Sequence, residues 1–201
     1  MIKRIIAASA VCLCAGCSIL PERPPVDLYG LTVDVPKTYL SDNRINASVQ
    51  VYEPTIVSSL AGNSFYTKGR DYRFYKSEAS RFLADPTVMI GESFRTWFTA
   101  AGPWKYVYAP NSLVAADYAV TISISKLYVD FPTKEAVVAM TVQVTDARKN
   151  LLVTQFDPEK RIPINSISAK DAAAGYAKAI QQILEELTPE LQNRLLKKNA
   201  G

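Results

Sequence analysis

The side chains with the most reactive chemistry are gathered at one end of this sequence. All three cysteines, Cys12, Cys14 and Cys17, lie within the first 17 of 201 residues, and the chain contains no histidine. A cysteine thiolate is a nucleophile and a metal ligand. Because residues 18–201 have neither cysteine nor histidine, they exclude a thiol nucleophile, a serine–histidine–aspartate triad and the usual zinc ligands.

The segment before Cys17 has the layout of a secretory signal. Lys3 and Arg4 supply the positive start, and residues 5–16 carry no charge at all. This apolar run of about a dozen residues is short of the ~20 that a membrane-spanning helix needs. We therefore expect a cleaved signal rather than a membrane span.

The end of the apolar run resembles a lipobox, in which small residues precede a cysteine that becomes diacylated. Ala15 and Gly16 are the small residues, whereas Cys14 stands where an apolar residue is usual. We predict a lipoprotein signal peptide at residues 1–16 and lipid attachment at Cys17. The alternative is an ordinary signal that is cut elsewhere, for example after Ala15.

The segment after the cysteine predicts a short tether at residues 17–25. Three prolines among residues 18–25 disfavour a helix and leave a stiff, extended chain with a reach of at most ~28 Å. The domain should therefore lie close to its membrane. Ser18 favours the outer membrane by resemblance to enterobacterial lipoproteins, in which aspartate at that place signals retention in the inner membrane.

Residues 26–201 have the length of a single domain. Lys3 and Arg4 account for two of the 23 basic residues, so the mature chain carries 21 basic against 19 acidic residues. No basic stripe stands out, and we expect no nucleic-acid partner. Carboxylate-only catalysis and a serine–lysine dyad stay open. However, no motif places such groups, so we predict no enzyme, no cofactor and no metal.

The element pattern is strands, helix, strands, helix. Asp85 and Pro86 are typical of a helix start, and Gly102–Pro103 predicts the end of that helix. Ser168–Asp171 has the spacing of a capping box for a final helix, which Thr188–Pro189 should kink or restart. The pattern predicts an α+β domain with a mainly antiparallel sheet and two helices packed on one of its faces.

Two details of the predicted strands bear on the surface. The apolar alternation from Tyr118 to Ser125 changes phase after Lys126, which indicates a bulge. Aromatic runs on both sides of Gly69 predict a hairpin. Their rings could form a binding surface, but cross-strand aromatic packing is the interpretation that we favour.

The mature chain resembles the ABC-type transport auxiliary lipoprotein family, the PqiC-like lipoproteins, over nearly its whole length. The order and spacing of several short features carry the resemblance, whereas Phe82 departs from the family's common tryptophan. In chain order these features are the Pro-rich tether, Tyr29-Gly30-Leu31, the strand Val49-Gln50-Val51, Tyr75, Arg81-Phe82 ahead of Asp85-Pro86, the helix ending Ala101-Gly102, Ala116-Asp117-Tyr118, Thr145-Asp146, Phe156 and an Ala-rich final helix.

The resemblance implies a noncatalytic periplasmic subunit of an envelope lipid-transport system built on an MCE-domain protein. The subunit would be anchored in the outer membrane, would face the periplasm and would tie the assembly to that membrane. Relatives form rings, so a homo-oligomer is expected as well. Two other functions remain as alternatives: a carrier that itself holds a lipid, and a structural lipoprotein of another envelope assembly machine.

Overall fold

The structure is a computed structural model that describes residues 25–35 and 44–199. The predicted signal peptide at residues 1–16, the lipid attachment site Cys17 and all of the tether except Pro25 lie outside the described residues. Within the described part, ten strands form one sheet and two α-helices cover it.

The strands are β1 Asp27–Tyr29, β2 Ile45–Val51, β3 Thr55–Ile56, β4 Ser64–Lys68, β5 Phe74–Phe82, β6 Trp104–Tyr108, β7 Tyr118–Asp130, β8 Glu135–Asp146, β9 Leu151–Phe156 and β10 Glu159–Pro163. The helices are α1 Pro86–Ala101 and α2 Ala169–Asn199, and a single 3-10 turn spans Ser58–Leu60.

The sheet is organised around the long hairpin of β7 and β8. One edge of β7 pairs with β8 along its length, and the other edge meets β2, β3 and β4 one after another. Beyond these, β2 pairs with β6, and β4 pairs with β5, which in turn pairs with β1. The far edge of β8 is lined by β9 and β10.

The prediction of a mainly antiparallel sheet is wrong. Five of the nine strand pairings among the described residues are parallel, including all three that β2, β3 and β4 make with β7. Parallel neighbours need a long connection, usually with a helix in it. The chain from β4 to β7 is such a connection, because it contains α1. The domain is therefore α+β with a mixed sheet.

Both helices bury their apolar stripes against the same sheet face. Ile90, Phe94 and Trp97 of α1 are fully buried, as are Tyr176 and Ile180 of α2, and all belong to one hydrophobic core. Burying a side chain of this size contributes about 1.5–3 kcal/mol.

The N-terminal cap that the sequence predicts is fully formed in α1 and only half formed in α2. The carboxylate of Asp85 accepts hydrogen bonds from the backbone N–H and the hydroxyl of Thr87, at 2.9 and 2.7 Å, so it caps α1 as predicted. At α2, the N–H of Asp171 donates to the Ser168 hydroxyl. The carboxylate of Asp171, however, turns to Ser166 rather than back to Ser168, which completes only half of the capping box.

The phase change at Lys126 is a bulge, as predicted. The register of β7 with β8 shifts between Ile124 and Lys126. The side chains before the bulge that face the helices are Tyr118, Val120, Ile122 and Ile124, and those after it are Leu127 and Val129. Because of the bulge, apolar side chains face the helices both before and after Lys126 in this strand of 13 residues.

Candidate docking surfaces

The described part of the chain presents several exposed surfaces at the two ends and along one edge of the sheet. Within residues 25–35 and 44–199, no three acidic, histidine or cysteine side chains lie close enough together to hold a metal ion. The same residues include no helix that is both long and apolar enough to cross a membrane. The role of Cys17, which lies outside the described residues, stays a prediction.

Two turns lie together at one end of the sheet, and we call residues 68–76 and 131–134 the hairpin pole. Lys68 pairs with Phe74 across the hairpin and with Asp130 of β7, and the N–H of Phe131 donates to the Lys68 carbonyl at 3.0 Å. The predicted hairpin is therefore confirmed. The turn after β7 is also fixed beside it.

Aromatic rings are exposed on the hairpin pole. Tyr72 is 79% exposed, Tyr75 is 54% exposed, and Phe74 and Phe131 are each about half exposed. The hairpin register sets Thr67 against Tyr75 and Lys68 against Phe74. The cross-strand aromatic packing that we favoured is formed elsewhere in the same hairpin, where Phe65 of β4 stacks on Phe82 of β5 at 4.0 Å, and not by these two pairs. Phe74 does pack, edge-on at 5.3 Å, against Tyr128 of β7.

Lys68 lies among these rings and is mostly buried. Its ammonium nitrogen lies 5.3 Å from the ring centre of Tyr72 and 5.9 Å from that of Tyr128. The same nitrogen is 3.9 Å from the carboxylate of Asp130. Cation–π and ionic contacts of this kind hold the turn in place, each with a modest contribution of about 0.5–1 kcal/mol at an exposed site.

A chain of ion pairs continues from Asp130 along β8 and β10. The guanidinium of Arg161 lies 3.8 Å from Asp130, 3.2 Å from Glu135 and 3.0 Å from Glu159. Lys126 donates to Glu159 at 2.6 Å. Hydrogen bonds from Lys126 and then Arg161 hold the pKa of Glu159 below its ordinary range, against the opposing effect of partial burial. Glu159 and Arg161 lie on β10, which pairs only with β8 among the described residues, and charges on such an edge strand discourage pairing with a further strand.

A shallow cleft of about 500 Å³ opens between the hairpin turn and Phe131. Its lining residues are Thr67, Gly69, Arg70, Asp71, Tyr75 and Phe131. Thr67 and Tyr75 also line a second cleft of about 170 Å³, which continues toward Ile167 and the start of α2. Of the exposed rings, Tyr75 lines both clefts and Phe131 lines the first.

The other end of β7 carries a second, different surface, which we call the opposite pole and define as residues 109–117 and 146–152. Leu113 is fully exposed, Val114 is 58% exposed, and Leu151 and Leu152 are 59% and 56% exposed. At about 3.3 Å per residue, the 13 residues of β7 separate the two poles by about 40 Å.

Asp117 joins the parts of the opposite pole. Its carboxylate accepts hydrogen bonds from the N–H and the hydroxyl of Ser48 at 2.8 and 2.9 Å, and it forms an ion pair with Arg148. The backbone hydrogen bond from Ser48 is the main cause of a lowered pKa of Asp117, and the Ser48 hydroxyl and Arg148 add to it. Partial burial and nearby Asp146 oppose the shift.

The edge formed by β9 and β10 extends from the opposite pole to the hairpin pole. In the described residues, both strands pair with β8 on one side only. The β10 half is covered with charge, whereas β9 begins with Leu151 and Leu152. Adjacent strand residues face opposite sides, so Leu151, Leu152 and Val153 could not all be buried. An unbroken apolar run in a strand thus indicates an exposed apolar surface, which the sequence-based predictions for this strand did not include.

The chain enters the domain from the direction of the hairpin pole. β1 runs parallel to β5, with Asp27 beside Ser80 and Tyr29 beside Phe82. Since β5 starts at the hairpin pole and runs away from it, the chain before Asp27 points toward that pole. Pro25 and Val26, the first described residues, are exposed.

Three solved structures share this fold. A Xanthomonas campestris protein described as a member of family DUF330 has a TM-score of 0.74 at 16% identity, covering 87% of this chain and 99% of its own. An uncharacterized protein has a TM-score of 0.68 at 10% identity, covering 83% of this chain and 99% of its own. A hypothetical Chlamydia trachomatis protein has a TM-score of 0.51 at 11% identity, covering 75% and 98%.

No family model and no curated protein matches the sequence. At identities this low, the three structural likenesses establish the fold alone.

Proposed function

We propose that this chain is a noncatalytic lipoprotein of the bacterial cell envelope, anchored in the outer membrane through Cys17 and facing the periplasm. It is a subunit of an MCE-type lipid-transport system and ties that assembly to the membrane. The observation that carries the proposal is the position of Cys17, which ends a signal-like segment only ten residues before the first strand of the domain.

The resemblance to ABC-type transport auxiliary lipoproteins supports the transport role. The fold shared with the DUF330 protein is consistent with that resemblance. The absence of histidine from the chain, and of cysteine after Cys17, supports a role in assembly rather than catalysis. A domain that carries an anchor at one end and exposed apolar side chains at the other has the layout of a connector.

The partner surface that we propose is the β9 end of the open sheet edge. A partner strand can pair with the free backbone groups of an edge strand, and side-chain pockets add specificity. Leu151 and Leu152 are exposed there, whereas charged side chains cover β10. The occupant is a strand of the MCE-domain protein.

The anchor is tested by Cys17→Ser in the full-length chain. We expect loss of the lipid-modified N-terminal peptide in mass spectrometry and either release of the protein or accumulation of the uncut precursor. Cys12→Ser is the matched control, because it removes a thiol from the same segment and should leave acylation intact. Normal processing and membrane attachment of the Cys17→Ser protein would overturn the proposal.

A lipid carrier is the second candidate, and the cleft at the hairpin pole is the observation that favours it. Its volume of about 500 Å³ falls within the range of small-molecule sites. A carrier would retain phospholipid through purification of the full-length protein, which mass spectrometry under native conditions detects. A protein that only connects the membrane to a partner would not retain phospholipid in stoichiometric amounts.

A further inference from the structure

We propose that the hairpin pole rests on the phospholipid surface that holds the anchor, with Tyr72, Phe74, Tyr75 and Phe131 in the headgroup region. The inference rests on the proposed attachment at Cys17 and adds a second, noncovalent membrane contact to it. The domain would then have a fixed orientation on the membrane instead of hanging from its tether.

The chemistry of the exposed rings fits an interface between water and lipid. Tyrosine rings are amphipathic, and aromatic residues concentrate at the level of the lipid headgroups. The four rings of the hairpin pole are each about half exposed or more. They come from two different turns that the β4–β7 pairing brings together. Phe74 and Tyr75 are adjacent in β5 and face opposite sides of the sheet, so the four rings surround this end of the molecule on both sheet faces.

The charge of the same surface is complementary to anionic headgroups. Residues 68–76 include four basic residues and one acidic residue. Arg73 forms an ion pair with Asp71 at 3.1 Å and Lys68 with Asp130 at 3.9 Å, so the remaining exposed positive charges of the hairpin pole are Arg70, Lys76 and Lys134. A basic residue near an anionic membrane surface contributes favourably to binding, and long basic side chains can reach past the rings to the phosphates. Rings and cations are interleaved along this turn, as lipid contact requires.

The backbone at Tyr72 is a third, independent observation. Its φ of 62° lies in the left-handed region, which a bulky residue seldom occupies. Tyr72 is also the most exposed of the four rings, so burial in the domain does little to offset the strain. The Lys68 ammonium nitrogen, 5.3 Å from the ring centre, helps to hold the ring there. Lys134 and Asn150, which lie in two further hairpin turns, also have a positive φ, so the turn geometry fixes the backbone of Tyr72 while its ring is presented outward.

The direction of β1 is compatible with an anchor on the side of this pole. Ser80, which lies beside Asp27, is six residues from Phe74, a distance of about 20 Å along β5. The ten residues from Cys17 to Asp27 reach at most ~35 Å. A chain that leaves Asp27 toward the hairpin pole therefore has enough length to pass the exposed rings and place Cys17 in the bilayer.

The test uses tryptophan reporters at the two poles of the full-length, acylated protein. The reporters are Tyr72→Trp on the hairpin pole and Leu113→Trp, a matched control, on the opposite pole. The native Trp97 and Trp104 are fully buried and provide a constant background. Each protein is reconstituted into phosphatidylethanolamine–phosphatidylglycerol vesicles with and without brominated acyl chains. Contact with the headgroup region should quench the added Tyr72→Trp emission roughly twofold and leave that of Leu113→Trp unchanged.

Equal quenching at the two positions, or quenching at neither, would overturn the inference. Quenching at neither position is also expected if the hairpin pole binds a protein instead of lipid, because the vesicles contain only lipid and this chain. The mass of the N-terminal peptide, measured on the same samples, reports acylation of Cys17 separately. If Cys17 is acylated but the two reporters do not differ in quenching, the membrane contact of the hairpin pole is wrong and the anchor stands. If Cys17 is found unmodified, the anchor itself is wrong.

Discussion

At the scale of single residues, Asp117 does the most to hold the opposite pole together. Its carboxylate binds Ser48 of β2 through two hydrogen bonds and forms an ion pair with Arg148 in the turn between β8 and β9. Its backbone carbonyl accepts from the N–H of Ala147 at 2.9 Å. One side chain thus links the parallel strand pair to the turn that precedes Leu151 and Leu152.

The lowered pKa of Asp117 predicts a pH-dependent contribution to stability. The charged carboxylate stabilises the fold fully above its ordinary pKa of 3.8, and this contribution is lost as the pH falls through the lower pKa of the folded state. At pH 7, Asp117→Asn should lower the free energy of unfolding by about 1 kcal/mol, a value reduced for partial solvent exposure. Urea unfolding should show this difference narrowing below about pH 4.

Ser48→Ala serves as the control for that prediction. It removes the hydroxyl but keeps the backbone N–H, so it should reproduce only part of the loss at pH 7. A difference between wild type and Asp117→Asn that stays constant down to pH 3 would show that the carboxylate charge is not the cause.

Residue-level prediction from sequence succeeds where a local pattern determines the outcome. Asp85 caps α1 because an N-cap needs only nearby backbone, and the phase change at Lys126 marks the bulge because alternation is itself local. The exposure of Tyr72 and Phe74 is different, because it depends on what lies across the sheet. An aromatic run in the sequence does not show whether its rings will pack against side chains of other strands.

At the scale of elements, the contact between the two helices depends on a buried hydrogen-bonded pair. The indole N–H of Trp97 in α1 donates to the Thr188 hydroxyl in α2 at 2.8 Å, and that hydroxyl donates to the Leu184 carbonyl at 2.7 Å. Both side chains are buried. The sequence predicts a kink or a restart at Thr188–Pro189, but α2 is assigned as one helix through Pro189.

Thr188→Val should therefore weaken the fold more than the loss of one hydroxyl suggests. It keeps the shape of the side chain but removes the acceptor for the buried Trp97 N–H, which costs about 1–3 kcal/mol. Thr188→Ser keeps the hydroxyl and should retain more of the stability. Thermal unfolding compares the three proteins. Equal midpoints for Thr188→Val and wild type would show that the hydrogen bond does not stabilise the helix pair.

The pairing of strands is the element-level feature that the sequence did not reveal. Alternation identifies a strand and its buried face, but it does not state which strand lies beside it or in which direction. The parallel contacts of β2, β3 and β4 with β7 depend on α1 crossing between them. β10 was missed for another reason: its Glu159, Lys160 and Arg161 give it the composition of a solvated loop. Its strand conformation comes from pairing with β8.

At the scale of the whole molecule, the two poles have different chemistry. The hairpin pole presents aromatic and basic side chains on the side from which the chain enters, and the opposite pole presents aliphatic side chains about 40 Å away. A connector between a membrane and a partner needs such a separation, since one surface cannot serve both. In the arrangement that we propose, the partner would meet the domain on the side that faces away from the lipid.

Partner binding at the β9 edge can be tested without disturbing the membrane-facing end. Leu152→Lys places a charge on the open edge, which should oppose pairing with a further strand and lower the yield of crosslinked MCE-domain protein about tenfold. Leu83→Lys is the matched control, because Leu83 is also exposed but lies directly after β5. Crosslinked peptides from membranes that contain each full-length variant identify both the prey and the contact site.

The stability of both variants should equal that of the wild-type protein, since neither leucine is buried. A Leu152→Lys protein that still crosslinks the MCE-domain protein through β9 at the wild-type yield would exclude this edge as the docking surface. Crosslinks that move to the hairpin pole would instead place the partner where we propose lipid, and the two-pole arrangement would then have to be abandoned.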